Sequence, residues 1–243
     1  MKIITEEMND MTPTMYPMGI GVKNEIQKCV EIQNALIKSN LDDIVFSWTG
    51  MFLHSVYHIF KELRYKGNAN WDNSILFCGL SSQAMQWDWI IYSVCYGQYD
   101  LALRELRNVL ESAFLFYRAD YDSELRNKTL EEKEEELRKI NENEKYGKNV
   151  FKKSGYKSWE YAYNKLYKEL CTYTHTAISL ENAKKLFEDF NGCSQPEYDK
   201  EKILKCIKYI QEVLVVECNL MESILEDVYG VENIEYALIF KGE

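Results

Sequence analysis

Apolar residues recur with the period of an α-helix along most of this chain. Between residues 99 and 121 they fall into one broad arc of a helical wheel, formed by Ala102, Leu106, Val109, Leu110, Ala113, Phe114 and Tyr117. An arc of this width has to face a hydrophobic core. We therefore predict one long helix here, and we expect the rest of the chain to be organised around it.

The same period predicts helices on both sides of this one. Before it, after an irregular stretch at 1–21, we predict helices at 23–39, 41–65 and 73–96; after it, helices at 159–174, 179–190 and 196–229. The helix predicted at 73–96 is apolar nearly all round, which places it in the core or in an oligomer interface. No segment alternates apolar and polar residues for long enough to predict a strand.

The last predicted helix carries an apolar seam with one acidic residue in it. Its members are Ile203, Ile207, Ile210, Leu214, Glu217, Met221, Ile224 and Val228. A carboxylate at such a position must be paired, protonated or at a wet interface. Glu217 either fixes the helix register or a dimer contact, or faces Arg104, Arg107 or a histidine as a site residue, or lies on a locally exposed stretch.

The segment from 122 to 157 differs in composition from its surroundings. Its first part is dominated by charge, and Thr129 with Glu132 forms a capping box, which predicts a short solvent-facing helix. Its second part, 145–157, has five lysines and no acid, with aromatic residues interleaved. We interpret that part either as a solvated loop or as a polyanion contact through Lys148, Lys152 and Lys153.

Together these patterns predict an all-α fold. We expect a single domain over 1–243, a helical bundle of long antiparallel helices, with a core from 22–121 and 158–230 and a charged excursion at 122–157.

Composition narrows the functional classes. The net charge of −10 argues against a nucleic-acid scaffold that relies on global electrostatics. The apolar runs are too short to span a bilayer, and the N-terminus has acids where a signal peptide is apolar. Seven cysteines without a CxxC pair suggest reduced thiols. These features predict a cytoplasmic protein that does not contact membranes.

The polar side of the 99–121 helix carries the first candidate site. Arg104, Arg107, Glu111 and Arg118 lie in a narrow stripe, and Arg107 and Glu111 are four residues apart, so their side chains can meet. The stripe is either a solvated face or an anion-facing or buried network. With Glu217, these residues are our candidates for binding a small molecule or nucleotide in a pocket lined by arginine and tyrosine.

The histidines give weaker signals. His54 and His58 have the spacing at which two imidazoles share a metal, but two ligands are too few for a closed site, so we predict no metal. His175 ends a predicted helix. The P-loop, GxGxxG, GxSxG and HExxH motifs are all missing, so nothing in the sequence indicates a cofactor.

Two fragments, GQYDLALRELRNVLES and LYKELCTYTHTAIS, resemble bacterial and archaeal HEPN-like all-α proteins, some found near defence systems. The residues that carry the resemblance are Arg107, Glu111, Tyr167, Leu170, Tyr173 and His175. It implies a helical bundle, a homodimer and, in catalytic members, metal-independent RNA cleavage. Nuclease members have an arginine shortly before the histidine, where this chain has Lys168, Glu169 and Leu170.

We therefore expect a helical binding or interaction module, linked by the resemblance to stress or phage defence, that forms a homodimer and binds an RNA or protein partner. One alternative is a metal-independent ribonuclease. In it His175 would act as general base, and Arg104 or Arg107 would hold the phosphate. The other is the pocket lined by arginine and tyrosine.

Overall fold

The all-α prediction is confirmed by a computed structural model of the chain. The structure describes residues 18–41, 50, 73–144, 147–175 and 198–230, and their side chains apart from those of 18–26, 141–144 and 174–175. Within these residues every regular element is a helix. The antiparallel arrangement of the long helices stays a prediction.

The helices are numbered in chain order. They are α1 (Met18–Ser39), α2 (Ile75–Ser82), α3 (Ala84–Cys95), α4 (Tyr99–Tyr121), α5 (Ser123–Arg126), α6 (Leu130–Glu144), α7 (Lys148–Lys153), α8 (Trp159–Tyr161, a π-helical segment Ala162–Tyr167, and Lys168–His175) and α9 (Lys200–Asp227).

Helix α4 is the centre of the described structure, and its bounds agree with the prediction. It packs most extensively against α9, α3, α2 and α8, and it also contacts α5, α6 and α7. All seven residues of its predicted apolar arc are buried. The amphipathic pattern of this one helix therefore fixes where the core lies.

Helix α9 presents the predicted seam to that core. Every seam residue from Ile203 to Ile224 is buried, and Val228 is half-buried. The helix begins at Lys200 rather than at the predicted residue 196, because the Asp199 carboxylate accepts hydrogen bonds from the backbone N–H groups of Glu201 and Lys202 and caps the first turn.

The single helix predicted over 73–96 is wrong. The chain forms two helices, α2 and α3, separated at Gln83. The Ser82 hydroxyl donates a hydrogen bond to the Gly79 carbonyl, which competes with the helical backbone bonds at this end of α2. Gly79 is required on α2, because an added Cβ would lie 2.4 Å from the ring of Phe116 on α4.

Two smaller expectations also need correction. Helix α1 begins at Met18 and not after residue 21. The lysine-rich segment holds a short helix, α7, rather than a solvated loop. The predicted helices at 41–65 and 179–190 lie outside the described residues.

None of the described helices is long and apolar enough to cross a membrane.

Candidate functional site

The predicted stripe on α4 divides into three different environments. Arg104 has a side chain that is 49% exposed and pairs with the adjacent Glu105 at 3.7 Å. Arg107 and Glu111 turn inward, with side chains 14% and 6% exposed. Arg118 lines an open cavity near the end of the helix. The four side chains therefore do not act as one surface.

Arg107 and Glu111 form a compact cluster with Tyr167 of α8. Arg107 Nη2 donates to Glu111 Oε2 and to the Tyr167 hydroxyl, each at 3.2 Å, and that hydroxyl donates to Glu111 Oε1, also at 3.2 Å. The guanidinium lies 5.3 Å from the centre of the Tyr167 ring, a cation–π distance. Arg107, Glu111 and Tyr167 are three of the six residues that carry the resemblance, and the structure places these three in contact.

The same cluster holds the start of α7. The backbone N–H of Gly147 donates to Glu111 Oε1 at 3.0 Å, and Gly147 has a φ of 106°, which only glycine adopts without strain. Glu111 therefore ties the α6–α7 connection to α4 and α8. A carboxylate with these donors and an arginine is fully engaged.

The electrostatics of this cluster favour a structural role. Burial alone would lower the pKa of Arg107, but its hydrogen bond with Tyr167 and the charge of Glu111 outweigh burial and raise it. Burial raises the pKa of Tyr167, and Arg107 offsets this only in part. The nearby thiol of Cys171 also has a pKa raised by burial, so at neutral pH it is a thiol and not an activated nucleophile.

The cavity beside Arg118 carries charges of both signs. It has a volume of about 640 Å³ and is lined by Arg118, Arg126 and Lys153 together with Asp122 and Asp227. Arg126 donates through Nε and Nη2 to the Asp120 and Tyr121 carbonyls at the C-terminal end of α4. Its charge therefore stabilises a helix end as well as facing the cavity.

The segment predicted to contact a polyanion has its lysines at the surface and its aromatic side chains against the core. Lys148, Lys152 and Lys153 are exposed, but Phe151 is fully buried, with its ring centre 4.4 Å from that of Phe114. Tyr156 packs edge-on against Tyr117 and Phe114. The Phe151 ring is therefore committed to the core, and the half-buried Tyr156 ring packs against the core residues.

Glu217 is fully buried on α9, and neither carboxyl oxygen has a hydrogen bond within the described structure. It forms no ion pair with Arg104 or Arg107, which pair with Glu105 and Glu111 instead. Burial raises the pKa of Glu217 well above its usual range, and the nearby Trp87 indole lowers it only in part. Burial therefore favours the neutral, protonated form of this carboxyl group.

One buried polar network was missed by the sequence analysis. Asp120, at the end of α4, accepts hydrogen bonds from Ser74 Oγ at 2.5 Å, from the backbone N–H groups of Ile75 and Leu76 at 3.1 and 2.9 Å, and from Lys133 Nζ at 2.8 Å. Lys133 on α6 is only 1% exposed. The network fastens α2, α4 and α6 together.

The sequence contains one weak indication of this network. Lys133 lies between Leu130 and Leu137 on the thin apolar line of α6, three and four residues away, and so faces the core. The prediction that this helix faces solvent overlooked that position. The capping box of Thr129 and Glu132 is confirmed, with backbone–side-chain bonds of 2.8 and 3.3 Å.

Helix α3 presents an unexpected surface. Four large apolar side chains are exposed: Met85 (82%), Trp89 (54%), Tyr92 (50%) and Tyr96 (42%). Their spacing of four, three and four residues puts them on one face. We call these four residues the α3 face. The opposite side of the helix is buried through Trp87, Ile90, Ile91 and Val94. The helix therefore lies at the surface, and its second apolar side is uncovered.

Several predicted site residues are not placed. The side chain of His175 and the whole of His54 and His58 lie outside what the structure describes. Within the described residues, no three His, Cys, Asp or Glu side chains are grouped so that they could hold a metal ion. Asp88 on α3 is exposed.

Comparison with known proteins gives no relative: no protein-family model matches the chain, and no curated protein or solved structure is significantly similar to it.

Proposed function

We propose that this protein is a helical interaction module that binds a second copy of itself through the α3 face. The observation that carries the proposal is the exposure of four large apolar side chains on one side of a helix whose other side is buried. Large apolar patches on soluble proteins mark interaction sites.

The size of the patch supports this function. At roughly 200 Å² for each large side chain, the exposed fractions of the α3 face amount to roughly 450 Å² per protomer. A stable interface buries about 800 Å² per partner. Helix α1, which packs against α3, also has exposed apolar side chains, those of Val30 and Ile37. The α3 face therefore supplies the apolar centre of such an interface.

The spacing of the α3 face favours a second copy over an unrelated partner. Its intervals of four, three and four residues read the same in both directions along the helix. A twofold axis through the middle of α3 therefore sets Met85 against Tyr96, and Trp89 against Tyr92, of the other copy. Sulfur–aromatic and aromatic–aromatic contacts of this kind are favourable. Helix α3 has one charged residue, Asp88, and no cation.

The experiment measures oligomeric state by sedimentation velocity. We expect a wild-type dimer, and monomers for Met85→Glu and Trp89→Glu, because each variant places a charge in the apolar centre. Both residues are exposed, so the melting temperature of the monomer should not change. Leu204→Glu is the matched control: it makes the same change at an exposed leucine, 46% exposed, on α9. It should remain dimeric.

A wild type that is monomeric at every concentration reached would contradict self-association, as would dimers that survive both substitutions on α3. An RNA or a different protein as the partner, a role in defence, a cytoplasmic location and the ribonuclease alternative all stay predictions.

A further inference from the structure

A second cavity lies between the start of α8 and the middle of α9. Its volume is about 480 Å³, within the range of small-molecule sites. One wall of the cavity is lined by Tyr156, Ser158, Tyr161 and Ala162, and the other by Gln211, Glu212, Val215, Val216 and Asn219. It is distinct from the α3 face and from the Arg107 cluster.

The described side chains that line this cavity carry negative charge only. Glu212 is the single charged side chain among the described residues that line this cavity. Its only ion pair within the described structure is a long one, 3.8 Å to Lys208, whose own side chain is 67% exposed. The whole chain adds to this local charge, because its net charge is −10 and an acidic protein concentrates cations at its surface.

The shape and the aromatic groups suit a cation with an apolar body. Tyr161 lines the cavity and is 54% exposed, so its ring is accessible, and aromatic rings attract cations. Tyr156 is held in place by edge-on packing against Phe114 and Tyr117. Val215 and Val216 provide apolar contact on the facing wall.

The backbone of α8 changes at this cavity. Ala162, which lines it, is the first residue of the π-helical segment Ala162–Tyr167. Single π-helical turns inside α-helices occur frequently at functional sites.

From the sign of the lining charge, the two tyrosine rings and the cavity volume, we propose that this cavity binds a small organic cation, an amine or quaternary ammonium compound with an apolar body. The Glu212 carboxylate neutralises the charge, the Tyr161 ring contacts the cationic group, and Val215 and Val216 contact the apolar part.

The test is calorimetric titration of the full chain with choline and, in parallel, with 3,3-dimethylbutan-1-ol, which has the same shape without the charge. We expect choline to bind and the neutral alcohol to bind at least about tenfold more weakly. Tyr161→Ala should weaken choline binding about threefold through loss of the cation–π contact. Glu212→Gln, which keeps size and shape, should weaken it more.

Two further variants make the outcome decisive. Lys208→Gln removes the competing cation and should tighten choline binding. Glu226→Gln, at an exposed acid on the same helix away from the cavity, should leave binding unchanged. Absence of choline binding, equal binding of the neutral alcohol, or equal loss in Glu226→Gln and Glu212→Gln would each overturn the proposal.

Discussion

Asp120 and Glu217 are both buried carboxylic acids on core helices, and their surroundings differ completely. Asp120 accepts four hydrogen bonds, including one from the buried ammonium of Lys133. Glu217 has none within the described structure, and burial raises its pKa well above the usual range. The same kind of side chain thus forms an ion pair at one place and has no ion pair with any described residue at the other. Burial alone does not determine how a carboxyl group affects stability; its partners do.

The largest expected effect comes from breaking the Asp120 network. Lys133→Met should lower the free energy of unfolding by about 3–5 kcal/mol, because it leaves the Asp120 carboxylate buried without its cation. Chemical denaturation measures this. Lys139→Met, on the same helix and half exposed, is the matched control and should stay close to wild type.

Adding Asp120→Asn to Lys133→Met should recover much of that loss, because the uncompensated charge is then removed. A Lys133→Met protein as stable as the Lys139→Met control would show that the ion pair contributes nothing net.

At Glu217 we expect a substitution to raise the free energy of unfolding rather than lower it. Glu217→Met should raise the free energy of unfolding by about 1–3 kcal/mol at neutral pH, because it removes a buried polar group without hydrogen bonds and keeps an apolar side chain of similar length. The same denaturation experiment measures this. A loss of stability would mean that Glu217 makes a favourable contact in the folded protein.

Glu217 should also make the stability of the protein depend on pH. Glu217 is protonated in both states well below pH 4.5, its ordinary pKa. Above that value the unfolded chain loses the proton and the folded chain keeps it. Its contribution to stability therefore falls as pH rises, by up to about 1.4 kcal/mol per pH unit until the raised folded pKa is reached.

Unfolding measured from pH 4 to pH 9 tests this. Glu217→Gln should become progressively more stable relative to wild type as pH increases, whereas Glu226→Gln on the same helix should track the wild-type curve. Parallel curves for Glu217→Gln and wild type would show that Glu217 ionises normally.

We expect the smallest change in the free energy of unfolding at the cluster of Arg107, Glu111 and Tyr167. Tyr167→Phe removes the hydroxyl that accepts from Arg107 and donates to Glu111, but keeps the ring under the guanidinium. The free energy of unfolding should fall by about 1 kcal/mol. In a double-mutant cycle with Glu111→Ala the two losses should not add, because either change removes the hydrogen bond between Tyr167 and Glu111.

Local pattern predicted much of the fold. The core faces of α4 and α9 and the capping box of α6 follow from helical periodicity and from short-range hydrogen bonds, which act between residues three or four apart. The contact between Arg107 and Glu111 is predictable for the same reason. Its third member, Tyr167, was indicated only by a resemblance, because it is 56 positions from Glu111.

What the sequence determined by itself is therefore the helices and the side of each that is apolar. Tertiary structure decided which apolar sides are covered, so that α3 keeps Met85 and Trp89 exposed while Trp87 is buried. It also decided the state of each buried charge, since the partners of Asp120 come from 13 and 46 positions away. Periodicity is a property of neighbouring residues, whereas desolvation and pairing depend on what distant segments bring to the same place.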